Sequence, residues 1–408
     1  MKKVWDKWTE IALVKRILVG LILGAILGIA VPQATGIAIL GDVFVSALKA
    51  IAPLLVFFLV ISSLCNAGKS HGGVIKTVII LYMFSTVLAA VIALFASMAF
   101  PVKMTLANAA TDTSAPQGIV EVLNNLLLNV VANPVSSLVN ANYVGILMWA
   151  VLLGLAFRAA DKMTKNVLAD VADGISVVVT WIINLAPFGI FGLVFNTVST
   201  NSLDIFTTYG KLLLLLVGCM LFIYFVTNPL LVYWCIHQNP YPLIFHCLKR
   251  SALTAFFTRS SAANIPVNMK VCEEMGLDRD TYSVTIPLGA TINMDGAAIT
   301  ITVMTMATAF TLGIHVDIPT AIILSLLAAL SACGASGVAG GSLLLIPMAC
   351  SLFGISDDIS MQVVAVGFII GVVQDSVETA LNSSSDLLLS ASAEFRQWRL
   401  EGKDIKFK

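Results

Sequence analysis

The sequence predicts an all-α polytopic membrane protein with eight transmembrane helices and two re-entrant helical hairpins. Composition is the first reason: 58% of the 408 residues are hydrophobic and only 11% are charged. Soluble domains carry about 25% charged residues, so most of this chain must have lipid as its solvent. The formal net charge is zero, which argues against nucleic acid as a partner.

The hydrophobic pattern is the second reason. Eight apolar stretches are long enough to span the roughly 30 Å of a bilayer core. They cover residues 12–32, 38–65, 74–100, 119–157, 166–198, 206–236, 283–313 and 360–394. The stretch at 119–157 is too long for one span, and its repeated asparagines indicate a broken or re-entrant path.

Two further regions, 240–280 and 318–356, predict the hairpins. Each has apolar flanks interrupted by small and polar residues, at 258–266 and 331–342. Neither half is long enough to cross the bilayer, and non-helical backbone at that depth must face protein or water. Each hairpin precedes a helix rich in polar residues, which predicts an inverted repeat with a binding site near the midplane.

Basic residues set the predicted orientation. If the N-terminus is cytoplasmic, the outer loops contain little more than Lys103 and Lys211, and the other basic loop residues lie inside. This bias predicts that both termini are cytoplasmic, and it holds only if each hairpin returns to its own side.

Five ionisable residues lie in the last predicted segments: Arg259, Asp295, Asp375, Glu378 and Asp386. Each charge at mid-bilayer costs about 2.5–3.5 kcal/mol, so these groups must be paired, hydrated or bound to cations. The surplus of acids predicts a bound cation, either Na⁺ or the ammonium group of a substrate. This combination is typical of a transporter.

Helical geometry places most of these polar residues on one stripe of the last helix. At about 100° per residue, Asp375, Thr379, Asn382 and Asp386 fall within about 60° of one another, with Glu378 beside them. Polar side chains can also join helices by hydrogen bonds alone. That alternative suits the neighbouring serines better than it suits three acids.

Two other segments are candidate cation ligands. Asn293, Asp295 and Gly296 interrupt an apolar helix, and unwinding there would free carbonyl groups for a hard cation. A kinked helix with a capping aspartate is the alternative. In the third predicted helix, a tyrosine, a serine and a threonine share one face, which by itself is typical of interhelical hydrogen bonding. These residues are Tyr82, Ser85 and Thr86.

Four motifs together resemble the dicarboxylate/amino acid:cation symporters, the family of the glutamate transporter homologues. They are Thr-Arg-Ser-Ser at 258–261, Asn-Met-Asp-Gly at 293–296, the glycine-rich tip at 334–341 and the polar stripe of the last helix. The bacterial sodium/serine-threonine symporters are the most similar branch. The resemblance implies a homotrimer in the bacterial inner membrane, with an elevator motion.

The resemblance also implies a division of the chain. Residues 1–70 and 119–236 would form mainly the trimerisation scaffold. Residues 74–100 and 240–394 would form mainly the transport domain, and 395–408 a cytoplasmic tail. The coupling ion would be Na⁺, no organic cofactor is implied, and the protein would not be an enzyme.

Site residues follow from the same resemblance. Asp375 would bind the substrate ammonium, and Thr379 and Asn382 its carboxylate and neighbouring polar groups. Ser260, Ser261 and the carbonyl of Val338 would close the pocket. One sodium site would use Asp386 with Gly289, Asn293 and Asn382. A second would use Asp295, Asn293, Tyr82, Ser85 and Thr86, and a third Thr291 with the tip at 332–335.

Two departures from the acidic-substrate members point to a neutral substrate. Glu378 replaces an arginine, and a carboxylate repels the side chain of glutamate or aspartate. Ala297 replaces a hydroxyl residue. Glu378 could accept a hydrogen bond from the hydroxyl of serine or threonine, or it could pair with Arg259.

Three other functions remain open at this stage. A transporter of this kind could couple to H⁺, with Glu378 as the carrier. An intramembrane aspartyl protease would use Asp295 and Asp375 as a dyad. A passive channel would explain the apolar helices but not paired hairpins on opposite sides.

Overall fold

The computed structural model describes residues 11, 13–66, 73–106, 128, 131–140, 142–201, 204–333, 340–403 and 405. Every regular element in these ranges is a helix, and none is a strand. Helices satisfy their backbone hydrogen bonds internally, which is what a hydrocarbon environment demands. The predicted all-α class is therefore confirmed.

Seventeen α-helices are present in the described residues. The first nine are α1 Leu13–Ala30, α2 Ile39–Asn66, α3 Gly73–Ala99, α4 Pro134–Val139, α5 Tyr143–Phe157, α6 Lys162–Asn184, α7 Ala186–Asn201, α8 Asp204–Phe222 and α9 Asn228–Ile236. The others are α10 Tyr241–Cys247, α11 Leu253–Thr258, α12 Ser261–Glu274, α13 Arg279–Ile292, α14 Asp295–Thr311, α15 Ile318–Ala332, α16 Ile346–Ser351 and α17 Asp357–Leu400. Short π-helical turns join α8 to α9 and α10 to α11.

Several of these helices can cross a membrane. Within the described residues, six stretches are long and apolar enough: Thr35–Ser62, Gly73–Ala99, Lys162–Asn184, Thr207–Ile236, Arg279–Thr311 and Asp357–Leu400. The chain is a multi-pass membrane protein.

A peripheral group consists of α1, α2, α5, α6 and α7, which pack on one another. Its closest contact joins α1 to α7. A Cβ atom on Gly20 would lie 2.2 Å from the carbonyl oxygen of Pro187, and one on Gly24 would lie 2.6 Å from that of Phe191. Gly28 continues this spacing of four residues. Small residues at this spacing let two membrane helices approach to backbone contact.

A central group, α3 and α8 to α17, surrounds the last helix. The last helix is far more buried than α6: in an apolar stretch of 18 residues, 83% of the residues are buried in α17 and 17% in α6. The α17 helix runs beyond both predicted ends, from Asp357 to Leu400, so residues 395–400 of the predicted tail are helical. Its N-terminus is capped by Ser356, whose side chain accepts the amide hydrogen of Ile359.

The stretch predicted at 166–198 is not one continuous helix, because the structure has two helices there. The first ends at Asn184 and the second begins at Ala186. Pro187 has no amide hydrogen, and the amides of Phe188 and Gly189 both bond to the carbonyl of Leu185. This break lets α7 pack against α1 and α2.

The helix predicted at 206–236 packs on the last helix: α8 and α9 contact mainly α17. A buried hydrogen bond fixes the contact: Asn228 Nδ2 donates to Ser385 Oγ at 3.0 Å. The structure thus places this helix in the central group.

Candidate substrate and cation site

The first hairpin, 240–280, turns at Arg259 and Ser260. Arg259 adopts a left-handed conformation, with φ of 52°. The hydroxyl of Ser260 accepts the amide hydrogen of Ala263 at 3.2 Å and caps α12. Ser261, the first residue of α12, is buried beside them. Both α11 and α12 pack on α17, so the turn carries the arginine side chain into the interior.

Asp375 connects the two predicted hairpins. Arg259 Nε donates to its Oδ2 at 2.6 Å, and the amide of Gly340 donates to its Oδ1 at 3.1 Å. The ion pair is almost fully buried, with the two side chains 7% and 4% exposed. The alternative in which Arg259 pairs with Glu378 is therefore wrong, because the arginine reaches the neighbouring acid.

Glu378 has a different set of partners. Its Oε2 accepts hydrogen bonds from Thr300 Oγ1 at 2.7 Å, Ser342 Oγ at 2.9 Å and Gln374 Nε2 at 2.5 Å. The sequence did not single out these three residues. The spacing of four between Gln374 and Glu378 in one helix was the only available signal.

Thr379 and Asn382, also on the stripe, bond to backbone groups. Asn382 Oδ1 accepts the amide hydrogen of Gly296 at 2.7 Å. Thr379 Oγ1 donates to the carbonyl of Asp375 within its own helix, at 2.8 Å. Asn382 therefore joins α17 to the start of α14, whereas the hydroxyl of Thr379 bonds to its own turn.

The predicted unwound segment lies between α13 and α14. Asn293 and Met294 have ψ angles of 80° and 52°, far from helical values. The break leaves Asn293 free to point at α17. Its Nδ2 donates to Asp386 Oδ1 at 2.9 Å.

Two buried oxygens in this pair indicate a cation site. Among the residues that the structure describes, Asp386 Oδ2 and Asn293 Oδ1 are buried and accept no hydrogen bond. Buried acceptors of this kind are rare in proteins and call for a ligand or an ion. A Cβ atom on Gly289 would lie 2.8 Å from Asp386 Oδ1, so the backbone of α13 reaches the same point. Carboxylate, amide and carbonyl oxygens suit a hard cation.

Two members of the second predicted cation cluster bond to Asp295. Ser85 Oγ donates to Asp295 Oδ2 at 2.7 Å, and Thr86 Oγ1 donates to Asp295 Oδ1 at 3.1 Å. Tyr82 lies one turn earlier on α3, and its hydroxyl donates to the carbonyl of Asp386 at 2.8 Å. One face of α3 therefore bonds to the carboxylate of Asp295 and to the backbone of Asp386.

The structure describes only part of the third predicted cation cluster. Thr291 lies near the end of α13 and donates its hydroxyl to the carbonyl of Leu288 at 2.8 Å. Val338 and positions 334–335 of the tip lie outside the described residues.

The proposed protease dyad is not formed. Asp295 bonds to α3, whereas Asp375 bonds to Arg259 and Gly340. Among the described residues these two carboxylates share no hydrogen bond, which a dyad with a common proton requires.

Comparison with known proteins gives a consistent result. A model of the sodium:dicarboxylate symporter family matches residues 13–394. The serine/threonine transporter SstT of Bifidobacterium adolescentis is 56% identical over 406 residues, which cover 99% of this chain and 94% of that protein. SstT of Streptococcus thermophilus is 54% identical over 400 residues, which cover 98% of this chain and 100% of that protein.

These relatives are transporters, which confirms the prediction that the protein is a transporter and not an enzyme. The family match spans α1 to most of α17 and includes all four motifs on which the resemblance was based. The chain belongs to the sodium:dicarboxylate symporter family.

Proposed function

We propose that this protein is a sodium-coupled symporter for the uptake of small neutral amino acids, serine and threonine. The observation that carries the proposal is the pair of acids on α17. Asp375 lies between the two hairpins, and Glu378 lies one helical turn further on. The names of the two relatives described above agree with this substrate class.

In this proposal the substrate ammonium takes the place of Arg259 at Asp375. The exchange conserves charge, because one cation replaces another next to a buried carboxylate. Among the described residues, Arg259 Nη1 is buried without a hydrogen-bond partner, so the guanidinium is held at Asp375 through Nε. We therefore expect the arginine to leave this position when substrate binds.

The α-carboxylate of the substrate would bind to Asn382, with Ser260, Ser261 and the carbonyl of Val338 closing the pocket. Asn382 Nδ2 contacts the sulfur of Met294 at 3.5 Å, and a thioether is a weak acceptor. A carboxylate would be a stronger partner for this amide. Thr379 would contribute only after releasing the carbonyl of Asp375.

Glu378 would select against acidic substrates. Two unit charges 4 Å apart repel by about 4 kcal/mol at the effective dielectric constant of a protein. A glutamate or aspartate side chain beside Glu378 would meet this repulsion, whereas the hydroxyl of serine or threonine can donate a hydrogen bond. Ala297 is buried and offers no hydroxyl to the side-chain carboxylate of an acidic substrate.

Sodium would be carried as a second substrate. Asp386, Asn293, Asn382 and the carbonyl of Gly289 would hold one ion, and Asp295 with Tyr82, Ser85 and Thr86 would hold another. The carbonyl of Thr291 would contribute to a third. Asn382 would couple ion and substrate, because its backbone carbonyl accepts Asn293 Nδ2 at 3.5 Å while its side chain lies on the same stripe as Asp375.

The proposed architecture is eight transmembrane helices and two re-entrant hairpins in a homotrimer, with both termini in the cytoplasm of a bacterium. The peripheral group would form the scaffold, and the central group would move as an elevator. We now include α8 and α9 in the moving group because they pack on α17.

Uptake by reconstituted protein tests the proposal. Labelled serine should accumulate in proteoliposomes only with an inward Na⁺ gradient, and unlabelled threonine should compete while aspartate does not. Equal uptake in choline medium would refute sodium coupling. Uptake driven by a pH gradient without sodium would support the proton-coupled alternative instead.

A further inference from the structure

The part of Glu378 from Cα to Cγ is confined where the start of α14 crosses α17. At Gly296, the start of α14 passes directly over this residue. A Cβ atom at Gly296 would lie 2.9 Å from Glu378 Cγ and 3.0 Å from its Cα. The glycine thus allows a backbone approach that leaves the glutamate side chain little freedom at Cγ.

One oxygen of the same side chain is fixed by three donors. Thr300 belongs to α14, Gln374 to α17 and Ser342 to the turn that follows the tip of the second hairpin, and all three donate to Oε2. Gln374 Nε2 also donates to Thr300 Oγ1 at 2.8 Å, which links two of the donors to each other. All three donors are buried.

The other oxygen, Oε1, belongs to a carboxylate that neighbours Asp375. Gly340 donates to Asp375, and Ser342, two residues later, donates to Glu378, so one short segment of the second hairpin touches both carboxylates. Asp375 and Glu378 are also three residues apart on one helix face. No hydrogen bond from the described part of the chain reaches Glu378 Oε1.

We propose that Thr300, Ser342 and Gln374 are positioning residues for substrate selection: they hold Oε2 of Glu378 so that Oε1 accepts the side-chain hydroxyl of the substrate. This inference rests on the proposed function. It assigns the recognition of the hydroxyl to Glu378 and assigns the geometry of that recognition to three residues that do not touch the substrate.

The arrangement favours serine over alanine. A hydroxyl donating to a carboxylate forms a short, strong hydrogen bond. Alanine would leave Oε1 without a donor, and sites built to bond a hydroxyl reject analogues that lack one. If one of the three donors is lost, the carboxylate can rotate, and the preference for the hydroxyl should weaken.

The second hairpin takes part in this selection through Ser342. Ser342 lies two residues beyond Gly340, and its hydroxyl donates to Glu378 Oε2 at 2.9 Å. The same hairpin segment therefore bonds to Asp375 and helps to hold Glu378 in place.

The test compares two threonines on α14 by their preference for serine over alanine in sodium-dependent uptake. Thr300→Val removes a donor to Glu378 with little change of shape. Thr302→Val is the matched control, because Thr302 is equally buried and its hydroxyl has no partner among the described residues. Thr300→Val should lower the preference by about fivefold to tenfold, through a higher KM for serine and an unchanged KM for alanine. Thr302→Val should keep the wild-type ratio, and Thr300→Ser, which retains the hydroxyl, should restore it.

A merely structural role for Thr300 would change the KM for both amino acids together, and that result would overturn the inference. An unchanged ratio in Thr300→Val would overturn it as well. If Thr300→Val does not fold, Ser342→Ala gives the same comparison. Its control is Ser325→Ala, at a buried serine that bonds only to its own helix, to the carbonyl of Ala321. A wild-type protein without sodium-dependent serine uptake would refute the proposed function itself, and this inference with it.

Discussion

The α1–α7 contact and the surroundings of α17 hold helices together in lipid in opposite ways. Lipid supplies no hydrophobic force between helices, so association depends on close packing or on polar contacts. At the α1–α7 contact, glycines bring two backbones together. Around α17, carboxylates, amides and hydroxyls join four separate elements.

The difference indicates which region can change during transport. Backbone contacts between glycine-lined helices have one good geometry, so they suit a fixed frame. The polar contacts around Asp375 can exchange one partner for another of equal charge. Buried charges are costly, and the protein places them where a substrate or an ion can serve as the alternative partner.

Removing the charge of Asp375, in the polar surroundings of α17, should have the largest effect on uptake. Asp375→Asn takes away the charge that pairs with the substrate ammonium and leaves Arg259 buried without a counter-ion, which costs about 3–5 kcal/mol. We expect serine uptake to fall by more than about 100-fold, as measured in proteoliposomes. Asp317→Asn is the control, because Asp317 caps α15 outside the site and asparagine caps helices equally well. Retention of a tenth of wild-type uptake in Asp375→Asn would contradict the assignment.

Replacing Arg259, the partner of Asp375, should show directly whether the substrate ammonium takes the place of the arginine. Arg259→Gln leaves Asp375 buried without its cation, so the substrate-free protein should lose several kcal/mol of stability. Serine supplies an ammonium group at the same carboxylate. It should therefore raise the melting temperature of Arg259→Gln by more than that of the wild type. Equal shifts in the two proteins would show that substrate and arginine do not share Asp375.

A single methyl group should damage the peripheral group. Gly24→Ala places a Cβ atom 2.6 Å from the carbonyl of Phe191, and overpacking of this kind costs about 1–3 kcal/mol. Thermal unfolding in detergent should show the loss. Gly174→Ala, on α6, is the control: no described atom lies within 4 Å of its added methyl group, and alanine favours a helix. A loss of similar size in both variants would mean that close approach is not what holds α1 to α7.

The smallest effect on uptake and stability is expected for an ion pair outside the α1–α7 contact and the surroundings of α17. Arg250 and Glu274 form an ion pair on the first hairpin, with side chains 40% and 39% exposed. Such pairs contribute about 0–1 kcal/mol and weaken with salt. Glu274→Gln should leave uptake unchanged and lower stability by no more than about 1 kcal/mol. A larger loss, insensitive to salt, would show that polar contacts matter beyond the neighbourhood of α17.

The sequence predicted the features that follow from helical periodicity and from the cost of buried charge. The stripe on α17, the turn at Arg259 and the break at Asn293 are examples. The end of α6 was not predicted, although Pro187 next to it is a signal for a break. The packing of α8 and α9 against α17 was not predicted, because a helix facing lipid and a helix facing apolar protein have similar composition.

Partner choice could not be predicted either. Arg259 reaches Asp375 and not Glu378 because of the left-handed turn at its own position, which the sequence does not specify. Thr300 gave no signal, because threonines in such helices commonly bond to their own backbone, as Thr308 and Thr311 do here. Only the crossing of α14 over α17 distinguishes it from them.

The central claim is that the oxygens around Asp386 hold a sodium ion that supports substrate binding. The most direct test is the affinity of purified protein for serine, measured in sodium chloride and in choline chloride, for the wild type and for Asp386→Asn. We expect sodium to tighten serine binding at least about tenfold in the wild type, a coupling of roughly 1.4 kcal/mol, and much less in the variant. Equal affinity for serine with and without sodium in the wild type would contradict the account.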